Sequence, residues 1–188
     1  MSATPNGGQT AGVRAVVVLP FDPEWSARFA MAAVEVAQAL EAVVAVHHIG
    51  STAVPGLDAK PIIDLLVEAV DLAAVDARTA AMAALGYESL GENGLPGRRF
   101  FRRDDEAGER THHVHLWETG HQDLQRHLAF RDFLIAHPRH AAEYGALKRQ
   151  LAQQHPRDMD AYIDGKDALV QDLEARALAW RERRSERI

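Results

Sequence analysis

The chain has no cysteine among its 188 residues. Disulfides, thiolate zinc sites, Fe–S clusters and thiol nucleophiles are therefore excluded. It has no long apolar run either. The most apolar stretch, 30–46, is interrupted by Glu35, Gln38 and Glu41 and is not a membrane span. There is no excess of positive charge: 21 Lys and Arg against 27 Asp and Glu give a net charge of −6. That balance argues against a non-specific nucleic-acid binder, though not against a small anion held by a few local groups. Residues 1–13 lack a basic start and an apolar stretch, so they do not read as a signal peptide. Their Pro, Asn, Gly and Thr content predicts a flexible tail. A cytoplasmic protein without membrane contact is expected.

What is present suits an ordinary globular domain, with 47% hydrophobic and 26% charged residues. The reading is one domain over 14–180, with a charged C-terminal tail at 181–188. A β-branched run at 15–19, stopped by Pro20, predicts a strand. Asp22-Pro23-Glu24 opens a helix: Asp22 suits the N-cap and Pro23 the first turn. Trp25, Phe29, Ala32, Val36 and Leu40 form its apolar stripe, and it ends near Glu41. Strands are predicted at 43–49, 61–67, 87–90, 99–103 and 112–117. One Ala-rich helix is predicted at 72–85, and helices at 121–136, from Pro138 and from Asp158. This order predicts an α+β fold with a mixed sheet, flanking helices and a helical C-terminal layer.

The segment 48–67, HIGSTAVPGLDAKPIIDLLV, carries the most chemistry. A strand runs into Gly50-Ser51-Thr52, and a second strand holds a single carboxylate, Asp64. Gly50 allows the backbone to approach a ligand. Ser51 and Thr52 offer hydroxyls and backbone N–H groups to a phosphate, and Lys60 can approach the same anion. His48 lines the same mouth. Asp64 can hold a divalent ion facing those phosphates. A turn with a cap and a structural acid is the plainer reading of the same residues.

Ten histidines are many for this length. His113 and His115, two apart on a strand, share one face. With Asp64 they make a two-His, one-carboxylate set, which suits Zn²⁺ or another transition metal better than Mg²⁺. His112, His121, His127, His137, His140 and His155 have no such spacing and read as surface or capping residues. Arg98, Arg99, Arg102 and Arg103 read as charges that shield a sheet edge, with closure over a triphosphate as the alternative. Arg131 is the candidate to reach Asp64 or pair nearby, with Lys148 and Lys166 behind it.

The stretch 48–67 is similar to the nucleotidyltransferase superfold, in which Gly-Ser after a strand precedes an Asp-x-Asp strand that holds Mg²⁺. Asp64 matches the second aspartate, and Ile62 stands where the first would be. More closely, the chain resembles the GrpB-like family of bacterial proteins within that superfold. The resemblance rests on 48–67, on HHVHLWETG at 112–120, and on RHLAFRDFLIAHP at 126–138. Tyr144, Leu147, Lys148, Tyr162 and Lys166 extend it, and it covers about 16–170. It implies a nucleotidyltransferase-like fold in which the missing first aspartate is the rule. It also implies a nucleotide or coenzyme A context, since domains of this type are fused to dephospho-CoA kinase in some bacteria.

The expected function is binding of a nucleotide or other phosphorylated small molecule with Mg²⁺ or Mn²⁺, or with Zn²⁺, and transfer of a nucleotidyl group. Asp64 and His115 are the catalytic candidates. His48, Gly50, Ser51, Thr52, Lys60 and Arg131 bind the ligand, and Asp64, His113 and His115 bind the metal. A non-catalytic ligand sensor or protein-interaction module is the alternative. A transition-metal hydrolase or lyase is the third class.

Overall fold

The computed structural model describes residues 15–186. The predicted tail at 1–13 lies outside the described residues. The elements run α1 (Glu24–Leu40), β1 (Val43–Ile49), a 3₁₀ turn (Ser51–Ala53), β2 (Ile63–Ala69), α2 (Leu72–Ala77), α3 (Thr79–Ala84), β3 (Tyr87–Ser89), β4 (Arg99–Asp104), β5 (Arg110–Glu118), α4 (Gln122–Ala136), α5 (Pro138–Gln154) and α6 (Met159–Ser185). Five strands form one mixed sheet in the order β1-β2-β5-β4-β3. Only β2 and β5 pair in parallel. The fold is therefore α+β, with a mixed sheet and flanking helices.

Alternation along the strands sorts the sheet into two faces. Ile63, Leu65 and Val67 of β2, with Val114 and Leu116 of β5, pack against Trp25, Val36 and Leu40 of α1. Each of those three α1 side chains is almost fully buried, worth about 1.5–3 kcal/mol apiece. Asp22 accepts the Glu24 N–H at 2.9 Å, so the predicted cap forms. Glu41 ends α1 in a left-handed conformation, with φ 61°. The opposite face carries Asp64, His113 and His115, each half-buried. There Ile49, Leu66 and Trp117 meet Leu124 of α4. Helices α4, α5 and α6 form their own core with Val54 and Leu57 of the loop after β1.

Three expectations are corrected. Residues 15–19 do not join the sheet. Leu19 makes one bridge to Ala59 and Val16 N–H donates to Pro156 carbonyl at 2.9 Å, so Pro20 leaves too short a run to build a ladder. The helix expected at 72–85 is two helices. Arg78 leaves the helical region (φ −100°, ψ 6°), and its guanidinium is drawn to the Ala39 carbonyl and to Glu41. Finally, β4 is not an edge, since it pairs with β5 on one side and β3 on the other. Its arginines are bound individually: Arg99 to Asp76, Arg102 to Glu88, and Arg103 to His112 and Glu35.

The stretch 181–185 continues α6 as a helix end. Among the described residues no helix is long and apolar enough to cross a membrane.

Candidate functional site

Strand β1 delivers the chain to Gly50, whose φ of 71° and ψ of −172° fall in a region open essentially to glycine alone. A Cβ at this position would also collide with Asp64 Oδ2. The 3₁₀ turn is closed by Ala53 N–H to Gly50 carbonyl at 3.3 Å and Val54 N–H to Ser51 carbonyl at 3.2 Å. Buried Thr52 pins it to β2 by donating Oγ1–H to the Ile62 carbonyl at 3.2 Å. That hydroxyl proton is used, so His48 Nε2–H is the donor in its 3.1 Å bond to Thr52 Oγ1. His48 stacks flat on Phe29, centroids 4.5 Å apart. Burial lowers its pKa to about 4, against the pull of Asp64. His48 thus buttresses the turn as a neutral ring.

The parallel register sets Asp64 beside His113. His113 Nδ1 lies 3.0 Å from Asp64 Oδ1 and His115 Nε2 lies 3.7 Å from it. One ligand atom from each of the three residues falls within 4.8 Å of the others. Burial pushes the Asp64 carboxyl up, but the hydrogen bonds and charges of the two imidazoles outweigh it and hold Asp64 well below the usual carboxylate range. Burial lowers the His115 pKa despite Asp64, which favours the neutral ring that ligates metals. The ring sits among Phe100, Trp117 and His127. Its Nδ1 is buried with no hydrogen-bond partner. The donor set fits a divalent transition metal, with Asp64, His113 and His115 as the holders.

Facing this cluster are three lysines. Lys148 of α5 is only 3% exposed and donates to Ser51 Oγ at 2.8 Å. It lies 4.4 Å from the Tyr144 ring centroid. Lys60 and Lys166 both lie over the Tyr162 ring, at 5.6 and 5.7 Å. Burial lowers the pKa of all three, and the neighbouring lysines add to the effect on Lys60 and Lys148. Lys148 falls to about 7. These residues, with Gly50, Ser51, Thr52, Asp64, His113 and Phe130, line one cavity of about 230 Å³.

The structure thus brings Gly50, Ser51, Thr52, Lys60, Asp64 and His113 to one cavity, with His115 behind them. His48 and Arg131 do not line it: the His48 ring lies between Thr52 and Phe29, and the Arg131 guanidinium donates to the His48 carbonyl at 3.1 Å and pairs with Asp132 at 2.7 Å. Lys148 and Lys166, ranked behind Arg131 by sequence, occupy the place expected of it. No local spacing signals them, because they come from helices about a hundred residues downstream of Ser51. Two histidines read as surface are not. His112 is buried against Arg103, and His127 packs on His115 and Trp117. His121 does cap α4, accepting the Asp123 N–H at 3.2 Å.

Fold and site together define an α+β protein with one mixed sheet and a lysine-walled cavity over an Asp–His–His cluster. The chain belongs to the GrpB family, whose model, described as GrpB protein, matches residues 15–176. It is similar to the crystal structure of the conserved protein GrpB from Enterococcus faecalis, with 44% identity, a TM-score of 0.82, and coverage of 87% of this chain and 98% of that one. It is 48% identical to the UPF0157 protein YqkA of Bacillus subtilis over 76% of this chain, and spans only 41% of that relative's length. A distant likeness, at 9% identity and a TM-score of 0.43, is to the Cid1 poly(U) polymerase, over 71% of this chain and 40% of that one. That likeness is too slight to bear on function.

Proposed function

We propose that the chain binds a phosphorylated small molecule, nucleotides first among them, in the cavity between Gly50-Ser51 and the three lysines. A divalent ion on Asp64, His113 and His115 completes the site, and nucleotidyl transfer is the reaction it serves. One observation carries this reading: three lysine side chains converge on a small cavity that offers a single carboxylate, Asp64. Buried like charges are costly, and an anion with several oxygens offsets that cost. The Gly50 backbone and Ser51 hydroxyl suit the same anion.

A metal at the cluster would polarise a phosphoryl oxygen. The chain's own residues supply the rest. Lys60, Lys148 and Lys166 hold the phosphates and neutralise charge that builds on departing pyrophosphate as an acceptor oxygen bonds to the α-phosphorus. Tyr144 and Tyr162 keep the lysine stems in place and limit water. Ile62 supports the second reading, a binding module without turnover, because it puts an alkyl group where the superfold resemblance calls for a carboxylate.

The test is thermal stabilisation by nucleoside triphosphates and coenzyme A, each with Mg²⁺, Mn²⁺ or Zn²⁺, and with Asp64→Ala alongside. Ligand at a hundred times its Kd adds about 2.7 kcal/mol, which moves the midpoint by several degrees. A metal-dependent shift that vanishes in Asp64→Ala supports the reading. Pyrophosphate release then separates transferase from binding module. No shift with any ligand refutes both.

A further inference from the structure

A second hollow of about 510 Å³ adjoins the lysine cavity, and Lys60, Ile62 and His113 line both. Its remaining surface differs in kind. Val17, Pro61, Met159 and Ile163 make it largely apolar. Val17 and Ile163 are 46% and 45% exposed, so this hollow keeps apolar surface open to a ligand. The two arginines on its wall bring little free charge, since Arg102 is paired with Glu88 and Arg110 with Asp104.

The lysine cavity alone is at the small end for a ligand, but the two hollows together have the size and the polar-to-apolar grading of an ordinary small-molecule site. Ile62 stands at the junction. An alkyl group there, beside Lys60 and His113, gives an apolar chain one apolar wall along which to pass from one compartment to the other.

We infer that the phosphorylated ligand is amphipathic: its phosphates sit among Lys60, Lys148 and Lys166, and an apolar arm crosses Ile62 into the groove of Val17, Met159 and Ile163. This rests on the phosphate-binding reading above and narrows it to phosphate esters with an alkyl or aryl substituent.

Calorimetric titration of the full chain with inorganic pyrophosphate and with its n-octyl monoester tests the inference. Each buried methylene tightens binding by about fourfold, so the octyl ester should bind at least thirtyfold tighter than pyrophosphate. The double variant Val17→Ser, Ile163→Ser removes two exposed side chains and should leave the fold and the pyrophosphate affinity unchanged. It should bring the octyl ester to within about threefold of pyrophosphate. Equal affinity of ester and pyrophosphate in the parent chain overturns the inference while leaving the phosphate site standing. A gain that persists in the double variant also overturns it. A gain that appears only after removal of residues 1–14 assigns the groove to that segment instead. Failure of pyrophosphate and ester alike overturns both readings together.

Discussion

Gly50 and Asp64 are in direct steric contact: the missing side chain of one is the space occupied by the carboxylate of the other. A predicted ligand residue and a predicted metal ligand are therefore one structural unit.

Gly50→Ala should cost about 1–3 kcal/mol of stability from backbone strain alone, and more if the Asp64 carboxylate is displaced. The metal- and phosphate-dependent rise in melting temperature should disappear with it. A variant as stable and as responsive as the parent chain would show that the turn relaxes freely.

Lys148→Met should separate binding from stability. Its ammonium is buried beside other cations, so an apolar side chain of similar length should leave the ligand-free melting temperature unchanged or higher. Pyrophosphate affinity should fall at least tenfold. Loss of stability with unchanged affinity would reassign Lys148 to the framework.

The Asp64, His113 and His115 cluster should bind one equivalent of Mn²⁺ or Zn²⁺ after dialysis against chelator. His115→Ala should lower that affinity at least tenfold, since even losing a group that only supports a metal ligand costs about 10–100-fold. Equilibrium dialysis with metal analysis decides the point. Equal uptake by parent and variant would place any bound metal elsewhere.

Acid should weaken the fold through its buried histidines. Burial lowers the pKa of His48 and His112 to about 4 and that of His127 to about 3. Unfolded, the same rings take up protons near the ordinary value of about 6.5. The unfolded chain therefore binds more protons in that window, and stability falls as pH drops from about 6.5 toward 4. Urea midpoints should decline steadily below about pH 6.5, and above about pH 7 they should rise further, because Lys148, lowered to about 7 by burial, is protonated more fully in the unfolded chain. His127→Phe should flatten part of that decline. A midpoint constant down to about pH 4.5 would mean these rings are accessible to protons in the native state.

Much of the framework was legible in the sequence. Alternation and β-branched runs located all five strands, and the Asp22 cap and the apolar stripe located α1. The Gly-Ser turn, Asp64 and the His113–His115 pair were legible because each depends on neighbours in the chain or on strand period. The precedence of Lys148 and Lys166 over Arg131 was not. Which cation reaches the cavity depends on how α4, α5 and α6 lie across the sheet, and local pattern carries no information about that. Likewise Arg78 splits the helix at 72–85 through bonds to Ala39 and Glu41, about forty residues away. The strand expected at 15–19 failed for a related reason, since its partners are a loop and Pro156 rather than the sheet.

The hydrogen bond from Lys148 to Ser51 joins positions 97 apart. It also joins the helical layer to the sheet, which meet elsewhere where Leu124 of α4 packs on Ile49, Leu66 and Trp117. On the proposed phosphate-binding reading, an anion held between them acts as a clasp. When it is present, the helical layer peels from the sheet only by giving up the ligand, so amide exchange in α5 and α6 slows together. When it is absent, mutual repulsion among the lysines works to loosen the same seam. Occupancy of the cavity and cohesion of the two layers are thus a single equilibrium.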